Sequence, residues 1–135
     1  MLFRSGLLVA NPAPAGAELE REFTRYAYHG TVVWSWQQAL LAAGFERQLQ
    51  RTDLSAPMRV KLTQARADLW AVINQARALR TSELWSWSYA DGRYRAEPFG
   101  RPGADVDESN AAQLWSTVFL GLHPPASATG TSPGN

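Results

Sequence analysis

The sequence predicts an all-α domain interrupted by a short β-hairpin insertion, and three observations carry that prediction. Two long stretches, Val32 to Gln50 and Ser55 to Leu79, repeat apolar residues at helical spacing. A third apolar face recurs over Ala111, Leu114, Trp115, Val118, Phe119 and Leu122. Between the second and third lies Leu84 to Glu97, where Trp85, Trp87 and Tyr89 fall at every second residue and Asp91-Gly92 supplies a turn.

Each element has its own local reasons. Gly6 to Gly16 is apolar and then rich in proline and alanine, an extended segment followed by a loop. Ala17 to Arg25 predicts a short helix, and Gly30 breaks the irregular stretch after it. In the first long helix Val33, Trp36, Leu40 and Ala43, with Leu41, Gly44 and Phe45 beside them, form a broad apolar face. Gly44 in its interior suggests a close helix crossing, since glycine there costs about 1 kcal/mol against alanine. The second helix opens on Ser55 as N-cap with Pro57 in its first turn. Its stripe is Leu62, Ala65, Leu69, Val72, Ile73 and Ala76, and the short connection predicts that the two long helices pack as an antiparallel hairpin. Asp107, Glu108 and Ser109 suit the N-terminus of the third helix.

The 135 residues suffice for about one domain. Met1 to Ser5 resemble one reading frame of a common sequencing adapter and are set apart as an artefact, residues 6–122 are read as the domain, and residues 123–135 as a disordered tail. A net charge of +1 with scattered Lys and Arg gives no footprint for nucleic acid. With no cysteine there is neither disulfide nor thiolate metal site, and His29 and His123 lack the spacing of a zinc pair, so no metal or other cofactor is expected. No apolar run approaches the ~20 residues of a membrane span, so no membrane partner is expected.

Chemistry concentrates at Ser82-Glu83-Leu84-Trp85-Ser86-Trp87. A carboxylate beside aromatic faces suits a sugar site, because aromatic rings stack on pyranose rings and an acid can take or give the proton of glycosidic cleavage. The competing reading makes Trp85 and Trp87 core residues and Glu83 a local cap or ion-pair partner. Asp107 and Glu108 are rival acids, with capping as their plainer role.

Three stretches together resemble bacterial glycogen-debranching enzymes of the amylo-α-1,6-glucosidase type. They are Tyr28-His29-Gly30-Thr31-Val32-Val33-Trp34-Ser35-Trp36, Ser82-Glu83-Leu84, and Gln113-Leu114-Trp115-Ser116. The chain departs from that family's pattern at Gly30, where the family has Asn, at Ser35, where it has Pro, and over Asp107 to Ala112. The resemblance implies the C-terminal hairpins of an (α/α)6 toroid and an inverting glycoside hydrolase acting on α-glucosidic substrates. By position Glu83 would be the general base. The general acid and the N-terminal hairpins of the same domain would lie outside this chain, which would then be inactive alone. Tyr28 and His29 would hydrogen-bond sugar hydroxyls or else anchor their loop. Trp34, Trp85 and Trp87 would line the substrate, although the four tryptophans of these stretches cannot all face it, and Trp36 and Trp115 are read as core. The alternative is a self-contained helical interaction module, or a sugar-binding module without catalysis. The fragment reading requires apolar surface left exposed where neighbouring hairpins would pack.

Overall fold

The structure, a computed structural model, describes residues 6–100, 114 and 116–125. The adapter-like residues 1–5, Asp107 and Glu108, Trp115 and the tail from residue 126 onward lie outside the described residues. The chain runs α1 (Ala17–Glu22), β1 (Val33–Trp34), α2 (Ser35–Leu49), α3 (Ala56–Gln75), β2 (Leu84–Ala90) and β3 (Arg93–Pro98), with 3-10 turns at Arg77–Leu79 and Ser116–Gly121.

The all-α prediction is wrong, and with it the (α/α)6 toroid: the chain is mixed α/β. Three antiparallel strands in the order β1-β2-β3 form a sheet, and the hairpin is part of it rather than an insertion. The missed strand is β1. Val33 and Trp36 share helical spacing, so Val32 and Val33 read as a helix start. Instead both valines are fully buried and Val33 opens a strand, Val33 opposite Trp85 and Trp34 opposite Leu84. Being β-branched, Val33 suits a strand, and the helix begins only at Ser35. Leu8 adds an isolated bridge to Val33, and the Val9 N–H donates to the Val32 carbonyl at 3.0 Å.

The hairpin of β2 and β3 follows the sequence closely. Asp91 (φ 53°) and Gly92 (φ 73°) both take the left-handed conformation that a two-residue type I′ loop requires. Ala90 then pairs with Arg93 and the register runs to Trp85 opposite Pro98.

Helix α3 buries Leu69, Trp70, Val72 and Ile73, with Ala76 at its end; of the predicted stripe Leu62 and Ala65 are only half-buried, and Trp70 is buried without belonging to it. Helix α2 buries its predicted face only in part, through Leu41 and Phe45, which pack half-buried on the main core. Its buried residues are Ser35, Gln38, Ala39 and Ala42, while Leu40 is 58% exposed and a Cβ on Gly44 would meet nothing within 4 Å. No close crossing occurs at that glycine. The two helices pack together, tied by Arg66 to Glu46 at 3.1 Å and by Arg59 Nη1 donating to the Leu49 carbonyl. The predicted third helix is represented among the described residues only by the 3-10 turn Ser116–Gly121, after which Leu122 packs on the main core.

Alternation along β2 splits the core in two. Trp85 joins Val33, Ala42, Leu69 and Ile73 in the larger cluster against the helices. Leu84, its neighbour on the other face, joins Val32 and Phe99 in a smaller cluster lined by Val9 and Trp34. The sheet is thus buried on both faces at the end where β2 begins, and Glu83 sits immediately before that end.

Candidate functional site

The loop 23–31 presents the first part of the site. The Thr24 carbonyl accepts from the N–H of Ala27 and of Thr31, and the Ala27 carbonyl accepts from the Gly30 N–H at 2.8 Å. This winding brings backbone so close to residue 30 that a Cβ there would stand 2.0 Å from the Thr24 oxygen. Only glycine fits. Strand β2 fastens both ends of the loop: Ser86 Oγ donates to the Arg25 carbonyl at 2.7 Å, and the Trp87 indole N–H donates to the Thr31 carbonyl at 2.7 Å. Arg25 returns a bond from Nη1 to the Trp87 carbonyl, its guanidinium lying 4.8 Å from the Tyr26 ring centre and 6.0 Å from that of Trp87.

The second part is Glu83. It is 5% exposed, and its carboxyl Oε1 accepts a hydrogen bond from the Tyr28 hydroxyl at 2.5 Å. Its backbone carbonyl accepts from both the N–H and the Oγ of Ser35, each at 3.0 Å. Around this pair stands an aromatic wall. The Tyr28 ring meets His29 edge-on at 4.9 Å, Trp34 at 5.1 Å and Phe99 at 6.2 Å, and His29 stacks on Trp34 at 5.7 Å with the planes 22° apart. Tyr28 and His29 are exposed and Trp34 is half-buried, so these rings present surface to solvent beside a largely buried carboxylate.

Of the residues singled out in the sequence, Glu83, Tyr28, His29 and Trp34 come together. Trp85 and Trp87 do not. Trp85 is fully buried in the main core and offers no face to a ligand. Trp87 anchors the loop through its indole N–H, and its ring meets Tyr94 at 5.5 Å. Trp36, read as core, is half-buried and meets Trp34 edge-on at 6.4 Å. Sequence reasoning missed Ser35, Phe99, Arg25 and Ser86 as parts of the site. A departure from the resembled pattern marks Ser35, and Ser86 lies within the Ser82–Trp87 stretch; Phe99 and Arg25 carry no local signal.

The pairing can do proton chemistry. A carboxylate held by one phenol can take a proton from a water or hydroxyl brought to it, while flat rings receive the apolar face of a ligand. Among the described residues no group of three or more His, Asp or Glu side chains gathers as a metal site, and no helix is long and apolar enough to cross a membrane. A separate open cavity of about 610 Å³, lined by Ala42, Glu46, Arg47, Trp70 and His123 among others, shares no lining residue with this site. No protein-family profile, curated protein or solved structure matches the chain.

Proposed function

We propose that this chain carries the base-bearing part of an inverting glycoside hydrolase that acts on α-glucosidic oligosaccharides or glycogen-like chains. The observation that carries the reading is the buried Glu83 carboxylate, held by the Tyr28 hydroxyl beside the exposed faces of His29 and Trp34. In this role Glu83 accepts a proton from the water that attacks the anomeric carbon, Tyr28 fixes the carboxylate's orientation, and the rings stack on the sugar. Inversion requires a second carboxyl group, about 6.5–9.5 Å from the first, to protonate the leaving oxygen. In this reading that acid comes from outside the described residues.

The test compares the chain alone with a longer protein that joins it to the proposed acid-bearing residues. Both are assayed on α-1,4- and α-1,6-linked glucose oligosaccharides, and binding of maltotriose is followed by tryptophan fluorescence. The chain alone should bind maltotriose and hydrolyse nothing. The longer protein should release the β-anomer first. Glu83→Gln in it should lower kcat by about 10²–10⁴-fold with KM little changed, since a general base acts in the transition state. Binding without hydrolysis in either form would make this a sugar-binding module. Neither binding nor hydrolysis would end the carbohydrate reading.

A further inference from the structure

We infer that Ser35 is the positioning residue of this site: its N–H and Oγ together clamp the Glu83 carbonyl and thereby aim the Glu83 carboxylate at the aromatic wall. The inference rests on the glycosidase reading for its chemistry, while its geometry stands apart from it.

Ser35 is the first residue of α2, where a backbone N–H has no partner within the helix. Here that N–H is used across the fold, at 3.0 Å from the Glu83 oxygen, and the side-chain hydroxyl reaches the same oxygen at 3.0 Å. A carbonyl oxygen has two lone pairs, and both are engaged by one residue. Ser35 is fully buried, so water cannot replace either donor. The preceding residue is Trp34, which pairs with Leu84 in the sheet and forms part of the wall. Two adjacent residues therefore place the wall and the acid: Trp34 supplies a ring, and Ser35 fixes the peptide that bears the carboxylate. A plain helix start would need neither the hydroxyl nor its burial.

Three substitutions separate the donors. Ser35→Thr keeps both, Ser35→Ala keeps the N–H, and Ser35→Pro removes both. Proline is accepted at the first helical position, and Trp34 before it is already extended (φ −87°, ψ 126°), as a residue preceding proline must be. In the ¹³C-labelled chain the Glu83 carboxyl and Tyr28 Cζ resonances are the direct readout, assigned with Glu83→Gln and Tyr28→Phe. Ser35→Ala should move both resonances while those of Leu69 and Ile73 in α3 stay in place. Ser35→Pro should move them further, and Ser35→Thr should hold them at wild-type positions. In the hydrolytic protein Ser35→Ala should lower kcat by about tenfold, the worth of one hydrogen bond, with KM unchanged. The resonances need no sugar, so they decide the positioning role even if maltotriose neither binds nor is cleaved. The inference is overturned if Ser35→Ala leaves both resonances unmoved, or if Ser35→Thr moves them as far as Ser35→Ala does. Should Ser35→Pro fail to fold, the Ala and Thr variants still support or overturn the positioning role between them.

Discussion

Tyr28 and Glu83 lie 55 positions apart in the chain and meet through a single hydroxyl. Tyr28→Phe keeps the ring and its contacts and takes away the donor, leaving a buried carboxylate short of one bond. Hydrogen bonds to charged groups contribute about 1.5–3 kcal/mol, so urea denaturation at neutral pH should show a loss of that order, and an unchanged midpoint would mean the contact carries no net energy. The contrast is Asp53, whose carboxylate pairs with Arg51 at 2.6 Å on the open surface. The Arg51 hydrogen bond holds the Asp53 carboxyl below its ordinary value. A depressed folded-state pKa contributes stability that is present above the unfolded value, about 3.9, and is lost as pH falls through the folded one. Both partners are exposed and screened. Asp53→Asn should therefore lower the thermal midpoint barely, if measurably, at neutral pH, and any difference should vanish in acid.

Among the elements, α3 was more legible than α2. The second half of the α3 stripe, from Leu69 onward, is buried as written, so Leu69→Ala should cost about 2–5 kcal/mol. In α2 the buried face carries Ser35 and Gln38, polar side chains satisfied by distant backbone, while Leu40 points outward. Hydrophobic spacing reads apolarity and cannot see which polar groups will be satisfied, so it placed Leu41 and Phe45 on the core side but missed Ser35 and Gln38. Glycines test the same point in opposite directions. Gly44→Ala meets open space in a helix interior and should stabilise by about 0.5–1 kcal/mol. Gly30→Ala would drive a Cβ into the Thr24 carbonyl and should destabilise by at least ~2 kcal/mol, displacing Tyr28 and His29 with the loop. Both effects are read from denaturant midpoints, and a neutral Gly30→Ala would refute the tight loop.

At the scale of the molecule, one side chain adds to the backbone bridge that fastens the N-terminal segment to the sheet. Gln38 is fully buried, its Oε1 accepts the Leu7 N–H and its Nε2 donates to the Leu7 carbonyl, both at 3.0 Å, as a neighbouring strand would. Gly6 lies beside it at φ +123°, where a Cβ would come 2.9 Å from Val33. Gln38→Ala strands two backbone groups and opens a cavity, at a cost of about 2–4 kcal/mol. Amide hydrogen exchange at Leu7 and Val9 should then accelerate well beyond that at Trp87 in β2. Equal protection at all three would mean the backbone bridge to Val32 and Val33 holds the segment without this amide.

The sequence by itself determined what depends on neighbours along the chain: the Asp91-Gly92 hairpin and its alternating strand, the α3 stripe, the break at Gly30, and an acid set among aromatics at Glu83. Tertiary structure alone decided that Val33 and Trp34 are a strand, that Trp85 is core, and that Ser35 and Tyr28 converge on Glu83 from 48 and 55 positions away. The division has a physical cause. Periodicity and turn chemistry act between residues a few positions apart and are written in local order. Strand pairing, and the hydrogen bonds that let a polar residue be buried, need a partner that only the folded chain brings within about 3 Å.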